Sequence, residues 1–423
     1  MSQPASTVIE TSQALFDNAP LPTGWQWVRL GELCIGSGQY GTSEKANGNQ
    51  STGTPVLGMS NIFEGRLRWD KVRFINLPPA ELDKYRLDKG DVLFNRTNSA
   101  ELVGKTAVFD GSRDAVFASY LIRLRINEAT ANPDFIAAYI NSEGGRRFIE
   151  ANMARAIGQV NISASTLMTM PVPIAPLAQQ HRITAILKEQ MAAVERARAA
   201  AEAQLNSAKD LPAAYLRAVF NGAEAKGWQV VKVGDITSLI IDGPHVTPMY
   251  VPKGVPFVTV RNIVNRRIDL SQVSYITESD HAEFSRRGKA EKGDILYTKD
   301  GTLGIPCVVD TDDEFSFFVS VALIKLIRER ADSRFVAYAL ESPLVLKQVE
   351  LLGAGAGLKH MVLRSIRALE IPLPSIPEQR NIAAALNEQM LNAEQAKKIL
   401  KDQLASINKL PAALLRQAFT GKL

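Results

Sequence analysis

The chain has 423 residues, 46% apolar and 22% charged, enough for two or more domains with real cores, and wholesale disorder is excluded. Its 49 basic residues nearly balance 44 acidic ones, and a formal charge of +5 permits a nucleic-acid partner without arguing for one. Two distant cysteines, Cys34 and Cys307, exclude a disulfide framework, and no apolar run reaches the roughly 18 residues of a membrane span.

The opening "MSQPASTVIETSQALF" lacks the segments of a secretory signal, so a soluble, cytoplasmic protein with no membrane partner is expected. Residues 1–20 form an N-terminal extension with no assigned role. Residues 21–176 read as a mixed α/β domain: β-like runs such as "TPVLGM", "GDVLF", "TAVFD" and "SYLIRLRI" are separated by Gly, Asn, Asp and Pro. A helix follows in "NPDFIAAYINSEGGRRFIE", with Asn132 as cap and Pro133 in its first turn. Residues 177–222 read as a helical spacer. Ile183, Leu187, Val194 and Ala201 recur at spacings of three and four on a narrow, alanine-rich stripe that also holds Gln190 and Gln204, the pattern of a coiled-coil seam whose polar members fix register. Pro212 is expected to break this helix and restart a short one.

The chain then repeats itself. Residues 223–375 form a second mixed domain, with Ser333 as the expected helix cap. Residues 376–423 form a second spacer, with Ile382, Leu386, Ala393 and Leu400 on its stripe, Gln389 and Gln403 among them, and Pro411 at its break. "GWQWVRLGEL" returns as "GWQVVKVGDI", "LDKGDVLFNR" as "AEKGDILYTK", "QQHRITAILKEQM" as "EQRNIAAALNEQM", and "LPAAYLRAVFNG" as "LPAALLRQAFTG". The spacers match closely and without gaps. The domains share only short phrases, joined by loops of different length. The expected fold class is α/β (α+β): two globular domains, each followed by a long helix, the two helices packing as an antiparallel coiled coil about a pseudo-twofold axis. A helix of about 30 residues is about 45 Å long, and would hold two domains apart by about one turn of DNA, about 34–36 Å.

No constellation for bond-making chemistry stands out. Gly104-Lys105-Thr106 resembles the end of a phosphate-binding loop, but Ser99 stands where that motif needs its first glycine, and the second copy has Ile305 and Pro306 in place of lysine and threonine. His181, His245, His281 and His360 show no metal-ligand spacing, and "TDDEF" (311–315) reads as a solvated acidic turn. There is no G-x-S-x-G and no Asn/Asp-Pro-Pro-Tyr/Phe. What remains is a set of polar, basic, Gly-rich loops in corresponding places: 36–50, 60–68, 95–101 and 154–161, then 241–248, 261–267, 297–304 and 353–360. Their Arg, Lys, Asn, Gln, Ser, Thr and Tyr side chains are those that contact phosphates and base edges. Loop divergence on a repeated frame is what two different ligand specificities require.

In this order and doubled, "GW…V.LG", "KGDVLF"/"KGDILY", the "PxPxxxQ(Q/R)" approach to each helix and the closing "LP.A.LR..F.G" resemble the specificity subunit of type I restriction–modification systems, over nearly the whole chain from Trp25 to Leu423. The resemblance implies two target recognition domains reading the halves of a bipartite, asymmetric site in double-stranded DNA. It implies spacer helices and "LPAA" phrases that dock two copies of the methylation subunit, with restriction (motor/nuclease) subunits joining. It further implies a non-catalytic chain with no cofactor or metal of its own, S-adenosylmethionine, ATP and Mg²⁺ acting on the partner subunits. The DNA contacts it implies are Gln39, Tyr40, Ser60, Asn61, Arg66, Asn95, Arg96, Asn98, Arg155 and Gln159 in the first domain, and His245, Thr247, Arg261, Asn262, Arg266, Tyr297, Lys299, Asp300, Thr302, Lys359 and His360 in the second. Gln39 and Tyr40 are matched to His245 and Thr247, and Arg66 to Arg266. Two other readings stay open: an enzyme acting on DNA or nucleotides, and a coiled-coil scaffold whose domains bind proteins.

Overall fold

A computed structural model describes residues 21–156, 158–222, 227–352 and 360–423. The chain divides into two compact units, one holding the chain through Ala201 together with Gln403–Leu423, the other Glu202–Asp402. Among the described residues no helix is long and apolar enough to cross a membrane.

In the first unit, Gln26–Arg29 pairs antiparallel with Pro171–Ile174 to close the domain where the long helix leaves. A four-stranded antiparallel sheet runs in the order Gln39–Tyr40, Leu121–Leu124, Val92–Asn95, Thr106–Val108. A three-stranded sheet (Val116–Phe117, Thr54–Leu57, Arg73–Ile75) and the hairpin Ile62–Leu67 lie beside it in the chain. The second unit repeats the plan with the ribbon of Gln229–Lys232 and Glu370–Leu373 and the sheet Thr237–Asp242, Val321–Leu326, Ile295–Thr298, Pro306–Val308. The hairpin there is Ile263–Val264 with Arg267–Ile268. The first unit has a sheet of Thr97–Asn98, Gln159–Asn161 and Ala154–Ala156, and among the described residues of the second unit a bridge joins Asp300 to His360.

The repeated phrases are now physical features. In "KGD" the glycine adopts φ 93° at Gly90 and 92° at Gly293, a conformation that favours glycine. The next carboxylate caps its own turn, Asp91 Oδ2 accepting from Asp88 N (2.9 Å) and Asp294 Oδ2 from Glu291 N (2.8 Å). Each also pairs with a base on the neighbouring strand, Arg125 at 3.5 Å and Lys325 at 2.7 Å. The glutamine of the "QQ/EQ" phrase is fully buried in both copies. Gln180 accepts from Asn132 N (2.8 Å) and donates to Ala175 O (2.8 Å), and Gln379 accepts from Asp332 N (2.8 Å) and donates to Pro374 O (2.8 Å). Asn132 caps its helix as expected, accepting from Phe135 N. The second cap is Asp332 and not Ser333, because Asp332 is the residue that corresponds to Asn132 and its carboxylate reaches Arg334 N and Phe335 N at 3.1 Å. Burial pushes the thiols of Cys34 and Cys307 up to about 12.

The long helices depart from expectation in three ways. The first runs unbroken over Leu177–Phe220, 44 residues, with Pro212 inside it. The second ends at Ile407 and restarts at Leu410. Lys209 in the first copy favours helix, whereas Asn408 in the second competes for local backbone bonds and favours the turn. Next, the stripe is not one helix–helix seam. Ile183 and Leu187 are buried in the first unit's core, and Leu386 with half-buried Ile382 in the second's. Only Val194 and Ala201 gather with Leu404, Ile407 and Leu414 in a separate cluster, while Ala393 is buried, Leu400 half-buried, and Gln204, Gln389 and Gln403 exposed.

The closing phrases are the third departure, because most of their apolar residues are engaged inside the domains. Phe419 sits against Trp25, Phe135 and Tyr139 at centroid distances of 6.5, 5.1 and 5.2 Å. Phe220 lies 5.5 Å from Phe335, which also meets Trp228. Each domain is therefore completed by the helix end that follows the other one in sequence, and the phrase is duplicated because two like sockets must be filled. Phe220→Ala is expected to cost about 3–5 kcal/mol, read as a fall in the opening free energy of amides in Val321–Leu326 by hydrogen exchange.

Candidate nucleic-acid interface

In each unit the strand Val92–Asn95 or Ile295–Thr298 leads into a seat for one cation, framed by the same backbone bonds in both units. Arg96 N donates to Tyr120 O (3.0 Å) and Arg96 O accepts from Ile162 N (3.0 Å). Lys299 N donates to Ser320 O (3.0 Å) and Lys299 O accepts from Met361 N (2.8 Å). The adjoining strand brings Tyr40 opposite Ile122 in one unit and Asp242 opposite Ala322 in the other. A glycine follows in both, because a Cβ at Gly41 would lie 2.2 Å from Phe117 O, and at Gly243 2.0 Å from Phe317 O. Positions 40 and 96 thus correspond to 242 and 299. The expected match of Gln39 and Tyr40 to His245 and Thr247 is corrected to Ile241 and Asp242.

The two seats are wired differently. In the first, the Arg96 guanidinium lies over the Tyr40 ring, 4.7 Å from its centroid, and Tyr40 Oη accepts from Ala164 N at 2.8 Å. Asn98 pairs across Val160 towards Arg155, and Arg155 and Gln159 are exposed on the same small sheet. In the second, Lys299 is 1% exposed, with Nζ 3.5 Å from Asp242 Oδ2 and 3.6 Å from Asp300 Oδ2. Asp242 also has His245 Nε2 at 3.4 Å and Arg287 at 3.7 Å, while Asp300 bonds His360 Nδ1. The structure therefore gathers Tyr40, Arg96, Asn98, Arg155 and Gln159 in one unit, and His245, Lys299, Asp300 and His360 in the other.

Several expected contact residues are internal instead. Asn61 and Asn262 are buried clasps of the turn before each hairpin, Oδ1 accepting from Gly58 N and Thr259 N (both 2.9 Å) and Nδ2 donating to Arg68 O and Asp269 O. Asn95 and Tyr297 are fully buried, and Lys299 is held by carboxylates, so none of the three presents a free surface. Gln39 is half-buried, accepting from Arg123 and donating to Lys84 O at 3.1 Å. The hairpin register matches Arg66 with Arg267 and not Arg266. Arg266 takes the place of Gly65, at φ 62°, and forks onto Glu341 with Nη2 2.7 Å from Oε1. Ser60, Arg66, Thr247, Arg261 and Thr302 are exposed. Lys359 lies outside the described residues, with most of the 353–360 loop and Ile157.

Sequence reasoning missed Asp242, the hub of the second seat, and Arg123, which holds Gln39. Aligning "QYG" with "IDG" on their glycines finds Asp242. Arg123 has no such signal, since Leu323 is its counterpart across the strand. Among the described residues no three His, Cys, Asp or Glu side chains are placed to hold a metal. The exposed groups offer hydrogen bonds and charge, which suits binding. Asp242→Ala leaves Lys299 buried with one carboxylate fewer, and is expected to destabilise the second unit by about 1–3 kcal/mol. Adding Lys299→Met should recover much of that loss in urea titrations.

Comparison with known proteins follows the same lines. The sequence profile of the family described as "Type I restriction modification DNA specificity domain" matches the chain twice, over residues 22–202 and 225–403. The type I restriction enzyme MjaX specificity subunit of Methanocaldococcus jannaschii is 24% identical over 434 residues, covering 95% of this chain and 94% of that protein. The EcoBI specificity subunit of Escherichia coli is 24% identical over 336 residues, covering 74% of this chain and 70% of that one. A chain solved in a study of complex assembly and conformational transition of the type I R-M system aligns with TM-score 0.73 and 22% identity, covering 96% of this chain and 100% of its own. The HsdS subunit from Thermoanaerobacter tengcongensis gives 0.64 and 21%, covering 96% and 99%, and these two show the shared fold. The chain belongs to the type I restriction–modification DNA specificity domain family, as a specificity subunit that carries the domain twice.

Proposed function

We propose that residues 21–176 and 223–375 each read one half of a bipartite, asymmetric site in double-stranded DNA. In this reading the helical segments 177–222 and 376–423 set the spacing between the halves and dock two methylation subunits, directing adenine methylation, with restriction subunits joining the assembly. The chain supplies recognition and no bond-making step. S-adenosylmethionine, ATP and Mg²⁺ act on the partner subunits, in the cytoplasm.

The observation that carries the reading is the contrast at the two seats: identical backbone frames, with an aromatic–guanidinium pair in one and a carboxylate–ammonium pair in the other. Two frames holding different side chains suit one asymmetric ligand. Base-edge and phosphate contacts then fall to the exposed or half-buried side chains Tyr40, Ser60, Arg66, Arg96, Asn98, Arg155 and Gln159 in the first domain, and His245, Thr247, Arg261, Thr302 and His360 in the second, together with Lys359, which lies outside the described residues. Two like partners require two like surfaces. The closing phrases have their phenylalanines, Phe220 and Phe419, packed in the domains, so docking falls to the outer helix faces, where Glu189 and Glu388 are identical and exposed in both copies.

Sequencing modified bases in the host genome with and without this gene tests the proposal. A split motif, two short blocks around an unspecified gap, is expected to lose adenine methylation on deletion. An intact methylation pattern, together with no salt-dependent duplex binding by the reconstituted complex, would reject it.

A further inference from the structure

Among the described residues Arg96, like Lys105, lacks the carboxylate partner that most half-buried cations have. Arg146, Arg198, Arg266 and Lys325 each have a carboxylate within ion-pair distance, at Glu150, Glu64, Glu341 and Asp294. Among the described residues Arg96 has none: its Nε is buried without a hydrogen-bond partner, and the contact recorded for its head is the Tyr40 ring. The ring lies against the guanidinium but accepts none of its in-plane N–H bonds. A partly desolvated fork with bonds unmade is costly for the free protein and favours an incoming pair of coplanar acceptors.

The second unit serves as an internal control. Its seat has the same backbone bonds, yet the cation is withdrawn to 1% exposure and neutralised by Asp242 and Asp300. A seat built to hold the phosphate backbone would be needed alike in both halves, because phosphates are the same in every sequence. Divergence at this position therefore marks base readout. The neighbouring sheet carries the amides of Asn98 and Gln159, side chains suited to base edges.

We propose that Arg96, packed against Tyr40, reads a guanine through its O6 and N7 in the half-site of the first domain, and that the second domain has no equivalent reader at its matching position. This inference rests on the DNA-recognition reading above. The test is selection from random-sequence duplexes by the full chain, wild type against Arg96→Gln and Arg96→Lys. The wild type should enrich a split motif with a guanine fixed at one position of one half. Both variants should lose that preference by roughly 5- to 150-fold at that position while the other half stays unchanged. Arg96→Lys keeps charge and stem but not the fork, so it decides alone if the glutamine variant fails to fold. An unchanged motif, or uniform weakening on all sequences with a salt slope smaller by about one, assigns Arg96 to phosphate and overturns the proposal. Absence of any split motif in the wild type would instead reject the recognition reading itself.

Discussion

A single buried amide at the root of each long helix ties spacer to recognition domain. Gln180 bonds the backbone N–H of Asn132 and the carbonyls of Ala175 and Thr130, and Gln379 does the same with Asp332, Pro374 and Arg330. Each clasp satisfies three backbone groups that burial would otherwise leave orphaned, at the cap of one helix and the start of another. The direction of the long helix is thereby fixed to the helix that lies behind the four-stranded sheet. Aromatic insertion from the closing phrases finishes the same cores, Phe419 in one unit and Phe220 in the other. Without these two attachments the seats would have no fixed bearing on the helices.

That rigidity explains why change is confined to side chains at the seats and to loop length. Clasp, "KGD" turn and terminal phenylalanine are backbone-satisfying or core-filling devices, and each tolerates few alternatives. Even the differences between copies are compensated locally. Asn141 exchanges two bonds with the backbone of Thr106, while its counterpart Glu341 faces Arg266 in a unit where Pro306 has no N–H to give. At the seats the two units use different partners, carboxylates around the buried Lys299 and an aromatic ring against Arg96. The first unit leaves the half-buried Arg96 with an unpartnered Nε, and the second withdraws its cation from the surface.

Much of this was legible in the sequence, because the repeat supplied its own alignment. The mixed α/β domains, the Asn132 cap and the two long helices follow from period and punctuation. Short phrases with different loops between them could not fix register to one residue, so Arg66 was matched to Arg266 and Tyr40 to Thr247. Residue type alone also could not separate a polar side chain that clasps a turn, such as Asn61 or Asn262, from one that faces outward. The stripe on the helices hid its division between domain cores and helix pairing, since apolar spacing does not say what lies opposite. Pro212 obeyed the helix around it, because one lost backbone bond is a small part of a 44-residue element.

The central claim is that two like frames each carry an independent reader. Hydrogen exchange on the full chain bound to duplex DNA tests it most directly, using its motif intact and with one half scrambled. The intact motif should protect the loops around Arg96–Asn98 and Gln159 and those around Asp300–Thr302 and His360. Scrambling one half should release only one of these two clusters. Protection that stays the same in both clusters, or that falls outside them, would contradict the account.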